Sequence, residues 1–289
     1  MPILVGTAGW ADSDLIASGW YPPQARTPAG RLRHYAGLFP LAEADSPYYA
    51  IPNTAVVRGW AEHTPEGFVM DVKAYSLFTG HRTPVASLPP ELRELAAGHA
   101  WIRGDGAPKE LLDETWIRFH QAVEPLRAAG RLGLVVLQFP ASCRPGPRGE
   151  RMVTEALSRC APLAAAVEFR HGSWLDPRDR DRALGLLREH GAALVCVDMP
   201  QEHPGAMPLL LAATADTALV RLHGRSAQWS GGDKRERYRH EYTAAELDDW
   251  ARRARELSRL AGSVHVVCNN CCGGAAQRAA AGLLDRLSG

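Results

Sequence analysis

The chain has almost no net charge, because 33 basic and 32 acidic side chains leave a formal charge of +1 over 289 residues. Proteins that bind nucleic acid or membrane surfaces usually carry a clear excess of one sign. Any charge selectivity must therefore come from a local cluster. Nucleic acid stays a possible partner that the net charge does not support.

The sequence also lacks an apolar run of about 18 residues, the length that a membrane-spanning helix needs. Its N-terminus has no basic region followed by a long apolar stretch, so no export signal is indicated. We predict a cytoplasmic protein that makes no membrane contact.

Cysteine is scarce, with six in the chain, and Cys196 and Cys268 lie inside apolar runs, which is typical of buried thiols in a reducing compartment. Cys268, Cys271 and Cys272 lie close together, but a zinc knuckle needs a second spaced pair, which is missing. Packing is therefore the favoured interpretation of these cysteines.

Eight short apolar or β-branched runs recur along the chain, each followed by a helical pattern or a long loop. This alternation favours a closed parallel barrel, so the predicted fold class is α/β, a single (β/α)₈ TIM-like barrel over residues 1–289. An open doubly wound sheet is the alternative, but residues 6–10 lack the glycine spacing of a dinucleotide-binding turn. The predicted strands are residues 3–10, 41–49, 67–75, 133–140, 165–174, 192–200, 218–225 and 264–270.

Amphipathic patterns predict helices over residues 113–129, 178–190, 244–261 and 274–287. Residues 77–112 are rich in Pro, Gly and charge, and residues 201–217 are short for a helix with its turns. We predict irregular excursions there. Residues 77–112 and 226–242 are long enough to form lids over a site.

Strand after strand begins apolar and ends polar, and in such barrels the active site lies at the C-terminal ends of the strands. Glu168 and Arg170 alternate with apolar residues on the fifth strand, so we predict that both face the barrel axis. Arg221 and His223 follow the same rule on the seventh strand. The other polar strand ends are Asp71, Lys73, Gln138, His171, Asp198, Arg225, Asn269 and Asn270.

On the sixth strand, Val195 and Val197 are predicted to face the helices, which would turn Cys196 and Asp198 toward the axis. Unpaired charges inside a barrel are costly, so these groups must meet partners or a ligand. One interpretation is a salt-bridge network that closes the barrel without chemistry.

Three chemistries fit the same residues. An anion clamp would use Lys73, Arg170, Arg221 and Arg225, since guanidinium groups bind phosphate or carboxylate through paired hydrogen bonds. A divalent metal would use Glu168, Asp198 and His223, and a general acid and base pair would use Glu168 with Asp198. The anion clamp is favoured, because the neighbouring arginines repel a cation; a divalent metal cofactor is possible but not favoured.

Ordered motifs along nearly the whole chain resemble the DUF72 (YecE-like) family. The resemblance implies a TIM-like barrel and no established reaction. The motifs are Val5-Gly6-Thr7-Ala8-Gly9-Trp10, Trp20-Tyr21-Pro22, Leu32-Arg33-His34-Tyr35-Ala36, Tyr48-Tyr49-Ala50-Ile51-Pro52, Val72-Lys73, Leu137-Gln138-Phe139-Pro140, Ala166-Val167-Glu168-Phe169-Arg170-His171, Val197-Asp198, Val220-Arg221-Leu222-His223-Gly224-Arg225 and Asn269-Asn270.

The family barrel is similar in shape to those of endonuclease IV and xylose isomerase, which by analogy alone would imply a metal-dependent phosphodiesterase or a sugar isomerase. The sequence departs from the family pattern at Asp45, where asparagine is usual, and at Cys271 and Cys272, where polar residues are more usual. Both departures lie near the predicted mouth of the barrel.

We therefore predict a hydrolase-like enzyme that acts on an anionic, phosphate-bearing small molecule or nucleic-acid fragment. The alternative is a non-catalytic binding protein for a polar metabolite or an acidic segment of a partner. The predicted catalytic residues are Glu168, Asp198 and His223, and the predicted substrate-binding residues are Lys73, Arg170, Arg221, Asn269 and Asn270.

Overall fold

A computed structural model describes residues 1–203, 205–229, 231 and 233–288, without the side chains of Lys234 and Arg235. Of the predicted lid over residues 226–242, positions 230 and 232 lie outside the described residues.

Eight parallel strands close into one barrel, in the order β1-β8-β7-β6-β5-β4-β3-β2. All eight predicted strands are confirmed, and each ends at least two residues earlier than predicted, where the chain enters the loops above the barrel. The strands are β1 (Ile3–Ala8), β2 (Leu41–Ala44), β3 (Val69–Lys73), β4 (Leu132–Gln138), β5 (Ala165–Glu168), β6 (Ala193–Asp198), β7 (Thr217–Leu222) and β8 (Ser263–Cys268).

Helices surround the barrel and bury their apolar faces against it, as the intervals of three and four residues between their apolar side chains predict. Within the described part of the chain, no helix is both long enough and apolar enough to cross a membrane. The helices are α1 (Ser13–Ala17), α2 (Pro28–Ala36), α3 (Thr54–Glu62), α4 (Lys109–Ala128), α5 (Pro147–Cys160), α6 (Arg180–Glu189), α7 (Lys234–Tyr238), α8 (Ala244–Leu257) and α9 (Ala275–Leu287).

The crossover from β6 to β7 contains no helix among its described residues, which confirms the irregular excursion over 201–217. The segment at residues 212–214 lies against β6 instead. The Thr214 hydroxyl accepts a hydrogen bond from the Leu194 amide and donates one to the Ala192 carbonyl, both at 2.7 Å. Residues 77–108 are also irregular, with 3₁₀ turns and an antiparallel pair between Thr83–Pro84 and Trp101–Ile102, whereas residues 109–112 of the predicted irregular segment form the first turn of α4.

A buried ion pair crosses the barrel interior below its mouth. Asp71 of β3 accepts hydrogen bonds from the Leu134 amide at 2.7 Å and from Nδ1 of His265 at 2.9 Å. Burial lowers the pKa of His265, but the Asp71 carboxylate outweighs burial and raises it. Asp71 therefore belongs to the barrel interior and not to the polar mouth in which the sequence pattern placed it.

Candidate functional site

Five charged or titratable side chains form an inner cluster beneath the mouth of the barrel: Glu43, Glu168, Arg170, Arg221 and His223. Arg221 is fully buried, and its two terminal nitrogens donate to Glu168 and, at 2.5 Å, to Glu43. Nε of Arg170 lies 2.5 Å from Oε1 of Glu168, and Nε2 of His223 lies 3.1 Å from the same oxygen. Glu168 is therefore the centre of the cluster.

The two carboxyl groups of the inner cluster have opposite pKa shifts. Burial raises the pKa of Glu168, but Arg170, Arg221 and His223 outweigh burial and hold the pKa well below its usual range. For Glu43, burial raises the pKa to about 8, even though Arg221 opposes the shift. At neutral pH Glu168 is therefore ionised and Glu43 is mostly protonated.

His223 is held as a neutral imidazole. Burial, more than any nearby charge, lowers its pKa to about 3. The side-chain amide of Asn269 donates to Nδ1 of His223 at 2.7 Å, so the ring proton is on Nε2 and is donated to Glu168. Both ring nitrogens are therefore already engaged, and His223 holds Glu168 and Asn269 in place.

A cleft of about 440 Å³ lies above the inner cluster, between the C-terminal ends of the strands and the start of α9. Its wall includes Arg170 but none of the other four members of the inner cluster. Side chains that line the cleft include Asp12, Ser13, Asp14, Asp45, Tyr48, Tyr49, Lys73, Gln138, Arg170, Tyr238, Asn269, Asn270, Cys271 and Cys272.

Lys73 and Arg170 bring positive charge to this cleft, and their side chains are 12% and 17% exposed. Nζ of Lys73 lies 3.5 Å from Oδ1 of Asp45 and 4.5 Å from the centre of the Tyr48 ring. Nη2 of Arg170 lies 3.2 Å from Oε1 of Gln138 and donates to the Tyr238 hydroxyl at 3.2 Å. Both cations are therefore fixed by their neighbours, and both line the open space.

The first turn of α9 completes the wall, because residues 273–277 line the cleft. The residue that precedes the helix is Gly274, with φ of 80°, and it has no side chain that could cap the helix. Backbone N–H groups at a helix N-terminus carry partial positive charge and attract anions. The helix therefore adds to the positive potential of Lys73 and Arg170.

The prediction that Asp198 faces the barrel axis is wrong. Val197 pairs in register with Arg221, so Val197 shares the axial face and Asp198 points away from it. Asp198 accepts hydrogen bonds from Nε of Arg225 at 2.9 Å and from the Tyr242 hydroxyl at 2.5 Å. Strand β6 is buried on both faces, so its apolar residues carry no alternation from which the inward face could be predicted.

This orientation also corrects the chemistries that relied on Asp198. Glu168 and His223 meet in the inner cluster but Asp198 does not, so neither the predicted metal ligand set nor the predicted Glu168–Asp198 pair is assembled. Among the described residues, no group of three or more His, Cys, Asp and Glu side chains is arranged to hold a metal ion.

The predicted anion clamp is assembled only in part. Lys73 and Arg170 line the cleft, whereas Arg221 is enclosed between Glu168 and Glu43, and Arg225 binds Asp198 and Glu246. Arg221 and Arg225 are therefore engaged by carboxyl groups of the protein and do not line the cleft.

The two predicted asparagines lie side by side in the wall of the cleft but make different contacts. Asn269 donates to His223, as described above. The amide nitrogen of Asn270 donates to the His240 carbonyl at 2.8 Å, which ties β8 to the loop before α8.

Sequence reasoning missed two parts of the cleft. Tyr238 lies in a basic stretch, residues 234–239, whose sequence is typical of ordinary surface. Its contact with Arg170 depends on how the loop after β7 folds back. The N-terminus of α9 was predicted as a helix boundary, but its position at the mouth follows only from barrel closure. The Gly273-Gly274 pair after the paired asparagines was the available signal.

Comparison with known families agrees with this architecture. A family model described as a protein of unknown function, DUF72, matches residues 4–289. The chain belongs to the DUF72 family. It is 30% identical over 279 residues to the UPF0759 protein YunF of Bacillus subtilis strain 168, an alignment that covers 94% of this chain and 90% of YunF.

Solved structures of DUF72 proteins share the fold. A DUF72 protein from Enterococcus faecalis V583 is 25% identical with a TM-score of 0.81, and the match covers 99% of this chain and 95% of that one. A DUF72 protein from Thermotoga maritima MSB8 is 29% identical with a TM-score of 0.80, and the match covers 100% of both chains. These relatives confirm the TIM-like barrel and leave the reaction of the family unassigned.

Proposed function

We propose that this DUF72 protein is a hydrolase-like enzyme that acts on a small phosphate-bearing molecule bound in the cleft. The observation that carries the proposal is the convergence of Lys73, Arg170 and the α9 N-terminus on one cavity of about 440 Å³. A cavity of this size suits a metabolite or a single nucleotide better than a folded nucleic acid.

Around Arg170 the electrostatics favour an anion, although the carboxylates of Asp12, Asp14 and Asp45 also line the cleft. Lys73 and Arg170 are largely removed from water, so a ligand charge beside them is less screened than it would be at an open surface. The planar guanidinium of Arg170 suits paired hydrogen bonds to phosphate oxygens. Asp45 lies beside Lys73 and neutralises part of its charge, so the ligand phosphate is expected closer to Arg170 and α9.

The inner cluster would serve this site by positioning Arg170. Glu168 is held ionised between two guanidinium groups, which makes it a poor proton acceptor and a good anchor. His223 donates to Glu168 and accepts from Asn269, which presents Asn269 to the cleft. Glu168 and His223 are therefore positioning residues in this proposal.

Two groups in the cleft wall are suited to the proton transfers of hydrolysis. Burial raises the pKa of Tyr238, but Arg170 outweighs burial and lowers it, so the phenol is a stronger acid than an ordinary tyrosine. Asp45, with its side chain 33% exposed, would take a proton from the attacking water. The water oxygen would then bond to phosphorus, and Tyr238 would protonate the leaving oxygen.

A non-catalytic binding protein is the second candidate, and a specific observation favours it. The acid and base groups beneath the cleft are already engaged: Glu168 by two arginines, and His223 at both ring nitrogens. A cleft built this way would hold an anion without transforming it. The ligand class is the same in both candidates, so turnover separates them.

Phosphate binding tests the shared part of the proposal, and the chain suits a lysine-specific readout because it has three lysines: Lys73, Lys109 and Lys234. After reductive ¹³C-methylation, inorganic phosphate should shift the NMR signal of Lys73 and not that of Lys109, whose side chain is 83% exposed. Lys73→Met and Arg170→Met should each weaken phosphate binding about tenfold or more, as expected for lost charge-assisted contacts. Lys109→Met is the matched control, and equal affinity in all variants would refute the proposal.

Turnover is then measured by phosphate release from a panel of phosphate monoesters and diesters. Release that falls at least about tenfold in Arg170→Met and Tyr238→Phe supports the enzyme. Binding that depends on Lys73 and Arg170, without turnover of any ester, overturns the enzyme in favour of the binding protein.

A further inference from the structure

Two adjacent cysteines stand at the rim of the cleft, where the chain leaves β8 and turns into α9. The sulfur atoms of Cys271 and Cys272 lie 2.8 Å apart, and both residues are partly exposed. The chain's four other cysteines are buried. The accessible thiols are therefore concentrated at one point, and that point borders the cleft.

The backbone at this point is unusual. Cys272 has φ of 90°, and it is the only non-glycine residue with positive φ among the residues that the structure describes. Side chains with a Cβ rarely adopt this conformation, and such positions are concentrated at functional sites. Because of this turn, the two sulfurs stand on the same side of the peptide that joins them, within contact distance.

We propose that Cys271 and Cys272 are a redox-modification site, which a low-molecular-weight disulfide converts reversibly into an internal disulfide at the rim of the cleft. In the first step, one cysteine sulfur attacks the disulfide, releases one small thiol and forms a mixed disulfide with the protein. In the second step, the neighbouring sulfur loses its proton and displaces the other small thiol. The protein pair loses two electrons and two protons, which the two released thiols carry.

The environment of the pair gives the two sulfurs different roles. Burial, with an added contribution from the neighbouring Cys272 sulfur, raises the pKa of Cys271 to about 12. Cys271 therefore keeps its proton, and we assign the first attack to Cys272. Arg239 lies near both cysteines and, as a cation, opposes part of the pKa rise of Cys271.

A disulfide between adjacent residues is expected to be easily reversed. Neighbouring Cα atoms are about 3.8 Å apart across a trans peptide, which is shorter than the roughly 4.4–6.8 Å of ordinary disulfides. The bond therefore forms under strain and is reduced readily, as labile regulatory disulfides are. A reversible switch suits a reducing compartment better than a permanent cross-link.

The turn is also connected to the ligand-binding residues. The Cys271 amide donates to the Tyr238 carbonyl at 2.8 Å, and the Tyr238 hydroxyl contacts Arg170. A ring that closes at residues 271–272 would displace both Tyr238 and the start of α9. This coupling rests on the proposed function, and it predicts weaker phosphate binding by the oxidised protein.

Mass spectrometry of the intact chain tests the redox site without any ligand. After incubation with excess oxidised glutathione, the native protein should lose two hydrogen masses and regain them with dithiothreitol. Cys271→Ser should instead gain one glutathione, because Cys272 has lost the sulfur that resolves the mixed disulfide. Cys268→Ala is the matched control, since Cys268 lies on the same stretch of chain but is buried, and it should oxidise as the native protein does.

Two results would overturn the site: a native pair that stays reduced, or a Cys271→Ser variant that still loses two hydrogen masses. Phosphate affinity of the oxidised and reduced forms is a separate readout. A fall on oxidation supports the coupling to Tyr238 and equal affinities overturn that coupling. Absence of phosphate binding in both forms refutes the proposed function and leaves the mass result to decide the redox site.

Discussion

Glu168 and Glu43 contact the same guanidinium, that of Arg221, and both are fully buried. Burial raises the pKa of each carboxyl group, yet the pKa of Glu168 ends well below its usual range and that of Glu43 rises to about 8. Depth in the barrel therefore does not explain the difference.

The difference comes from the neighbours of each carboxyl group. Glu168 has two guanidinium groups, Arg170 and Arg221, within contact distance. Glu43 shares Arg221 and has the carboxylates of Asp45 and Asp71 nearby, which disfavour its ionised form. Glu168 is therefore an ionised member of a fixed network beneath the cleft, whereas Glu43, on the other side of Arg221, is protonated at neutral pH.

Replacing Arg221 removes its contacts with both Glu168 and Glu43, so it should give the largest loss of stability. We expect Arg221→Met to lower the free energy of unfolding by about 3–5 kcal/mol, because the ionised Glu168 would lose a buried counter-charge and Glu43 would lose a hydrogen-bond donor. Urea denaturation at pH 7 measures this change. Arg252→Met is the control: its side chain is 57% exposed and should contribute less than about 1 kcal/mol. A loss below about 1 kcal/mol in Arg221→Met would show that the network does not hold the barrel.

The two carboxyl groups can be separated by glutamine, which resembles a protonated glutamate. Glu168→Gln should lower the free energy of unfolding by about 3 kcal/mol at pH 7, because it removes a charge that two arginines need. Glu43→Gln should instead raise the free energy of unfolding at pH 7, because glutamine avoids the free-energy cost of protonating a buried carboxyl group at that pH. Equal losses in the two variants would mean that both carboxyl groups are ionised.

The same pair has a distinctive pH dependence. The pKa of Glu43 in the folded protein, about 8, exceeds the unfolded value of about 4.3. Its contribution to stability is thus complete below about pH 4.3 and is lost as the pH rises through about 8. From pH 5 to 8, the native protein should lose stability relative to Glu43→Gln, by up to about 1.4 kcal/mol per pH unit, in urea denaturation at a series of pH values.

Much of this architecture could be predicted from the sequence. The eight strands have distinct apolar runs, and polar residues such as Lys73 and Arg170 come at their ends, which is enough to place them at the mouth of a parallel barrel. The irregular segments were also predicted, at 201–217 and, apart from the first turn of α4, at 77–112, because both segments differ from a helix in composition or length.

Two features of the site could not be predicted, for a physical reason that they share. The inward face of β6 is set by its register with β7, and both faces of β6 are apolar, so Asp198 was assigned to the wrong side. Arg221 was correctly placed on the axis, but its enclosure depends on Glu43, which is 178 residues away in sequence. Contacts between distant strands leave no pattern in either strand alone.

Asp198 offers a smaller effect than Arg221 or Glu168, and it extends the comparison to a carboxylate on the outer face of the barrel. Its oxygens accept from Arg225 and Tyr242, and Arg225 is 34% exposed and also bound to Glu246. Asp198→Asn keeps an acceptor for one of these donors, so the free energy of unfolding should fall by only about 1–2 kcal/mol. Because this cluster faces away from the axis, phosphate affinity measured by calorimetry should match that of the native protein. A fall like that of Arg170→Met would mean that the outer carboxylate also supports the cleft.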